Sequence, residues 1–188
     1  MELLAFGDAE PQQRWVGYDE RGFSWVDKAL SDEGLAQRLV ATKEGVGEVF
    51  CPGYVTEFNL AQAGWINSLG KMLEKGVALL IDYGFPQHEY YHPDRTVGTL
   101  MCHYRHRAHP DPLVLVGLQD ITAHVDFSAL AQSAFDAGMD VMGYTSQAQF
   151  LLAQCCCILP KPQVPPASGN RPMVISGTAS REVSVTTR

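Results

Sequence analysis

The rhythm of apolar and polar residues changes several times along the chain. Arg14-Trp15-Val16-Gly17-Tyr18 and Phe23-Ser24-Trp25-Val26 are aromatic and β-branched runs on either side of Asp19-Glu20-Arg21-Gly22. That is the pattern of a β-hairpin. Ser31-Asp32-Glu33 predicts a short helix through Leu39, with acids in the first turn where the helix dipole favours them. Pro52-Gly53-Tyr54 reads as a turn. From Thr56, the residues Phe58, Ala61, Trp65, Leu69 and Met72 recur at helical spacing and predict a long amphipathic helix stopping at Gly76. The apolar run Val77 to Tyr83 then predicts a fully buried strand, so that helix and strand form an αβ unit of a doubly wound sheet.

Beyond it, Pro86 and Pro93 mark Gly84 to Val97 as a loop. Thr99 to Tyr104 and Leu113 to Val116 are expected as strands, separated by the turn His109-Pro110-Asp111-Pro112. Asp120 to Phe127 alternates, with Ile121, Ala123, Val125 and Phe127 on one face and Asp120, Thr122, His124 and Asp126 on the other. Ser128 is expected to cap a helix over 129–137 that Gly138 closes. A strand over 141–144 and a helix over 147–154 follow. After Cys157, prolines at 160, 162, 165, 166 and 172 mixed with Ser, Gly and Thr predict a disordered tail, which divides the chain into a domain over 1–154 and a tail over 155–188.

Composition adds a few exclusions. With 46% hydrophobic and 19% charged residues in 188, the chain is long and apolar enough for a globular core. A formal charge of -7 argues against nucleic acid as a partner, because phosphate binding needs a basic surface. No run is long enough to span a membrane, and the residues after Met1 lack a signal-peptide pattern, so the expectation is a soluble, cytoplasmic protein. The cysteines are Cys51, Cys102 and Cys155-Cys156-Cys157. They form no CxxC pair, and reduced thiols are expected.

Three stretches could carry chemistry. Asp82, Tyr83 and Gly84 close the 77–83 strand, where the ligands of open α/β sheets sit, although a plain strand end at a turn would look the same. The polar face Asp120, Thr122, His124, Asp126 could orient a cation or move a proton; it could equally be a solvated strand face with Asp126 as a helix cap. Cys102-His103-Tyr104-Arg105-His106-Arg107-Ala108-His109 is dense in potential metal ligands, but on a strand His103 and His106 point to opposite faces. Presentation of Arg and His to an anion or carboxylate suits that segment better than metal. The chain has no GxGxxG turn, P-loop, GxSxG elbow or HExxH.

The order Gly53-Tyr54…Glu57-Phe58-Asn59-Leu60, Leu80-Ile81-Asp82-Tyr83-Gly84, Glu89-Tyr90-Tyr91, Gly98-Thr99-Leu100, His106 and Gln119-Asp120-Ile121-Thr122-Ala123-His124-Val125-Asp126-Phe127 resembles the carboxyl-terminal half of the MidA-like S-adenosylmethionine-dependent methyltransferases. The resemblance covers about residues 50 to 154. It implies a class I, Rossmann-like methyltransferase fold with a mostly parallel sheet, here carrying a β-hairpin insertion. It also implies S-adenosyl-L-methionine as cofactor. The mitochondrial member of that family is an arginine methyltransferase that helps assemble respiratory complex I. A protein arginine, on a protein such as a respiratory-complex subunit, is therefore the implied substrate.

The family's glycine-rich cofactor turn is not in this chain, so the resemblance implies its substrate-side half. By position in the matching blocks, Asp82, Asp120, His124 and Asp126 are the candidate catalytic residues. Glu57, Tyr83, His106 and Thr122 are the candidate substrate-binding residues. Carboxylates suit a planar, cationic guanidinium. The competing reading is a non-catalytic fragment or pseudo-enzyme that acts as a protein-binding or assembly module. A half-domain leaves apolar surface uncovered, so self-association into a homo-oligomer is expected.

Overall fold

A computed structural model describes residues 1–155, 173–178 and 182–185. The elements are β1 (Glu2–Ala5), β2 (Gln12–Asp19), β3 (Gly22–Ala29), α1 (Glu33–Val46), β4 (Val55–Phe58), α2 (Leu60–Met72), β5 (Leu79–Leu80), β6 (Gly84–Phe85) and α3 (Gln87–Tyr90). There follow β7 (Met101–Tyr104), β8 (Arg107–His109), β9 (Asp120–Thr122), β10 (Val125–Asp126), α4 (Phe127–Asp136), β11 (Gly143–Tyr144), α5 (Gln147–Cys155), β12 (Met173–Thr178) and β13 (Glu182–Val185). The chain divides into unit 1, Met1–Ala61 with Gln87–His124, and unit 2, Gln62–Pro86 with Val125–Arg188. Among the described residues no helix is long and apolar enough to cross a membrane.

Unit 1 is built on an antiparallel sheet of order β3-β2-β1-β4. The hairpin expected around Asp19–Gly22 is present, paired from Gln12↔Ala29 to Asp19↔Gly22. Leu4 lies beside Gln13 on one side and Thr56 on the other, and all three are buried on one face of the sheet. Helix α1 starts at the Asp32 cap, whose carboxylate accepts the Leu35 amide, and runs past Leu39 to Gly47 at φ 73. An aromatic cluster adds to this core: Phe6 stacks on Phe50 at 4.6 Å, Phe50 meets Tyr91 edge-on at 5.6 Å, and Tyr91 also contacts Phe58.

The second sheet of unit 1 is β8-β7-β9, also antiparallel. The β7–β8 hairpin turns on Arg105 at φ 47 and His106 at φ 64. Positive φ at both positions matches the twist of the strands, but it is normally met by Asn-Gly.

Unit 2 has a small apolar core of Ile66, Phe127, Leu130, Ala134 and Met139. Strands β6 and β10 pair in parallel through Val125↔Gly84 and Asp126↔Phe85. Glycine is required at 84, because a Cβ there would overlap the Val125 carbonyl. A second sheet has the order β11-β13-β12-β5.

Several expectations are corrected. Residues 55–58 are strand, not the start of a helix: Val55 to Phe58 zip onto β1 over four register pairs, and the helix begins at Leu60. Phe58 thus belongs to the sheet, and of α2 only Ile66 is buried, while Trp65 and Met72 are exposed. The run 77–83 is not one buried strand. It breaks after Leu80, and Leu79, Ile81 and Tyr83 are exposed. Leu113–Val116 forms turns and bends instead of a strand. The alternating block 120–127 splits into β9, which pairs with β7, and β10, which pairs with β6. Asp126, not Ser128, caps α4.

The sheets are mostly antiparallel and do not form a clear parallel Rossmann sheet. Among the described residues, parallel pairing is confined to β10–β6 and β11–β13. Extended parallel ladders need long neighbouring strands joined by crossovers; β5, β6, β10 and β11 each have two residues. Of the stretch expected to be a disordered tail, 173–178 and 182–185 are strands, and its other residues beyond Cys155 lie outside the described residues.

Candidate functional site

Glu57 is the best-connected of the candidate residues. It sits on β4 and is 1% exposed. Its carboxylate accepts the amides of Thr99 at 2.9 Å and Leu100 at 2.8 Å, and the hydroxyls of Thr99 at 3.2 Å and Tyr90 at 3.4 Å. Gly98, at φ 73, allows this close approach, since a Cβ there would strike the carboxylate. The Thr99 hydroxyl donates a hydrogen bond to Glu57 and accepts one from the His124 amide at 3.0 Å. One buried carboxylate therefore fixes segment 98–100 and, through Thr99, the backbone at His124. Placing a carboxylate in a buried site without such donors would be costly. As a substrate-binding group Glu57 is already taken, because both oxygens serve the protein's own chain.

Asp126 is also engaged. It is 8% exposed, and its carboxylate accepts the Ala129 amide at 3.0 Å as the N-cap of α4. The Gln62 side chain donates to its carbonyl. Asp82 is exposed, with one oxygen accepting the Tyr83 amide at 2.7 Å, and the Tyr83 ring is exposed as well. Asp120 and Thr122 are exposed on β9, opposite His103 and Met101 respectively, and the Thr122 hydroxyl donates to the Met101 carbonyl. His106 is exposed at the hairpin turn. The half-buried His124 follows the end of β9.

Five of the candidates, Glu57, His106, Asp120, Thr122 and His124, thus fall in unit 1. Asp82, Tyr83 and Asp126 fall in unit 2. Among the described residues no group of three or more His, Cys, Asp and Glu could hold a metal ion.

Burial governs two proton affinities here. The Tyr54 phenol, fully buried and donating to the His92 carbonyl, is pushed up to about 12 by desolvation. Burial likewise raises the Cys102 thiol above its usual range, so it is a poor nucleophile.

Reading the sequence alone missed Thr99 and Tyr90. The signal was a lone Glu in the otherwise β-forming run Val55-Thr56-Glu57-Phe58, which demanded donors from elsewhere. It also missed the groove beside the aromatic hairpin face. In unit 1 a groove of about 380 Å³ runs between that face and the loop before β9, lined among others by Val16, Phe23, Trp25, Leu113 and Ile121.

Residues 2–145 match a protein family described as "Putative S-adenosyl-L-methionine-dependent methyltransferase". The chain belongs to this methyltransferase family. Two solved structures from Burkholderia thailandensis support the assignment. One, described as a "likely methyl transferase" bound to S-adenosyl-homocysteine, is 44% identical over 85% of this chain and 41% of its own, with a TM-score of 0.73. The other, an uncharacterized protein solved in its native state, is 39% identical over 95% of this chain and 52% of its own, with a TM-score of 0.78. The chain therefore spans about half the length of these relatives, or less. No curated protein matches it.

The family is described as S-adenosylmethionine-dependent, and one glycine turn among the described residues that could meet such a cofactor is closed to it. A cofactor's anionic end is usually met by adjacent backbone amides at a glycine turn. Here the adjacent amides of Thr99 and Leu100, beside Gly98, are filled by Glu57.

Proposed function

We propose that this chain supplies the acceptor side of an S-adenosylmethionine-dependent methyltransferase, and that the acceptor is a protein arginine. The observation that carries the methyltransferase reading is the 44% identity to a protein bound to S-adenosyl-homocysteine. The class I, Rossmann-like arrangement belongs to the same reading, for the parallel β6–β10 pairing brings together the two blocks on which the family resemblance rests. Methyl transfer is an in-line displacement, so positioning of the acceptor contributes most of what the protein provides. A guanidinium acceptor calls for carboxylates that are not already spent. Glu57 and Asp126 have structural duties, so the exposed Asp120 of unit 1 is the carboxylate proposed to meet it, and the exposed Asp82 of unit 2 is a separate candidate. Tyr83, His106, Thr122 and His124 remain candidate contacts. The protein substrate, such as a respiratory-complex subunit, belongs to the same proposal.

A second reading is a binding or assembly module without catalysis. It is favoured by Glu57, whose carboxylate oxygens serve the chain's own amides and hydroxyls instead of a ligand. Titration calorimetry of the chain with S-adenosyl-homocysteine separates what the chain does alone. The expected result is no heat of binding; micromolar affinity would show that the chain holds the cofactor by itself. In a full-length relative, changing the counterpart of Asp120 to alanine should abolish transfer while leaving cofactor affinity near normal. Unchanged turnover would remove Asp120 from the site.

A further inference from the structure

We infer that His103 completes the acceptor site at Asp120: the two side chains, with the Thr122 hydroxyl, form a set of hydrogen-bond acceptors for the guanidinium of an arginine side chain. The inference rests on the reading that Asp120 meets an acceptor arginine, and it adds a residue that lies outside the sequence blocks behind that reading.

Strand register brings the set together. Strand β7 lies between β8 and β9. His103 stands opposite Ala108 on β8 and Asp120 on β9, and Met101 stands opposite Thr122. Directly opposed residues of an antiparallel pair point to the same face, with Cβ atoms about 4.5–5.5 Å apart. His103, Asp120, Met101 and Thr122 therefore share one face, and all four are exposed. Cys102 alternates to the other face and is fully buried. The third residue of the His103 row is Ala108, too small to cover the imidazole from its other side.

Hydrogen-bonding capacity selects the ligand. Among the described residues, no hydrogen bond or ion pair engages the His103 imidazole or the Asp120 carboxylate. The Thr122 hydroxyl already donates to the Met101 carbonyl at 3.2 Å, so toward a ligand it can only accept. The face thus offers a carboxylate, one ring nitrogen of a neutral imidazole and a hydroxyl oxygen. Its complement is a cation that only donates, and donates in several directions. A guanidinium has five N–H groups in one plane, whereas an ammonium has three on one atom. An anion would meet Asp120 with like charge. The neighbouring arginines do not fill the site themselves. Arg107 stands opposite Tyr104, on the other face, and the Arg105 guanidinium lies 5.3 Å from the centre of the Tyr104 ring.

The two strands that carry the pair are anchored at one point. Leu100, just before β7, donates its amide to Glu57. Thr99, held by the same carboxylate, accepts the His124 amide just after β9. His103 and Asp120 are thereby held in register before a ligand arrives, which lowers the ordering cost of binding.

The test titrates the full chain with an end-blocked peptide of one arginine between glycines, and with the same peptide carrying lysine, while NMR follows the histidine ring signals. The expected result is that the arginine peptide shifts the His103 signals saturably and binds more tightly than the lysine peptide. His103→Ala and Asp120→Asn should each weaken binding at least about fivefold, the loss of one hydrogen bond to a charged group. His103→Gln keeps an acceptor and should retain most of the affinity. Circular dichroism should show all three variants folded, since both positions are exposed. No binding of the arginine peptide, equal binding of the two peptides, unmoved His103 signals, or affinity indifferent to His103→Ala would each overturn the inference. None of these outcomes touches the methyltransferase reading, which methyl transfer by a full-length relative decides.

Discussion

At the centre of unit 1 a buried carboxylate gathers four donors, while the core cluster of unit 2 is Ile66, Phe127, Leu130, Ala134 and Met139 with no polar side chain among them. Unit 1 has strands of up to eight residues and all the net charge; unit 2 has strands of two to six residues and a balanced charge. The contrast shows two ways of fixing a loop. In unit 1 the irregular segment 98–100 is pinned by hydrogen bonds that reach 42 residues along the chain. In unit 2, β6 and β10 are held by the close backbone approach that Gly84 permits. A polar hub is specific, and costly when broken, because each donor left behind is a buried unsatisfied group. An apolar cluster tolerates change if volume is kept.

The largest expected effect breaks the hub. Glu57→Ala should destabilise the protein by at least about 3 kcal/mol in urea unfolding, because buried donors lose their acceptor. Hydrogen exchange at Thr99, Leu100 and His124 should accelerate first. A cost below about 1 kcal/mol would mean that water replaces the carboxylate and that unit 1 has no hub.

In unit 2 the matching change is Gly84→Ala. The new Cβ would meet the Val125 carbonyl and the Phe127 ring, so about 2–3 kcal/mol should be lost by the same measurement. Asp126→Ala removes the α4 cap and should cost about 1 kcal/mol, whereas Asp126→Asn should recover most of it. Full recovery of stability by Asn without recovery of transfer in a relative would reveal a second, chemical role.

Gly64→Ala goes the other way. It lies within α2 with nothing near its missing Cβ, and should stabilise by about 0.5–1 kcal/mol. The smallest effect concerns pH. The Tyr54 phenol is raised from 10 to about 12, so its contribution is intact below pH 10 and is lost as pH rises through about 12. Alkaline absorbance titration should show a late-ionising tyrosine that Tyr54→Phe removes.

How much was legible beforehand varied with range. The β2–β3 hairpin, the Asp32 start of α1, strand β7 and helix α5 were readable, because turn residues, caps and propensity act within a few positions. The family was readable too, from blocks spread over 50–154. The 77–83 strand, the helix from Thr56 and the continuous 120–127 strand were misread for one reason. Periodicity reports which residues could share a face, and it cannot say where a partner strand stops. Phe58 fits the helical series, yet β1 claims it; Asp120 and Asp126 alternate together, yet they pair with different strands. Glu57 shows the same limit at the candidate site, where a residue suited to hold a cation proved to be holding amides.

The sequence by itself determined the local elements, the acidic balance and the methyltransferase family, since those depend on neighbouring residues and on residue order. Tertiary structure alone decided which carboxylates stay available. Glu57 and Asp82 are equal as chemistry, but Glu57 is enclosed by Tyr90, Thr99 and Leu100, and Asp82 faces solvent. What a carboxylate can bind depends on the donors that distant segments bring to it, and only the folded chain supplies them.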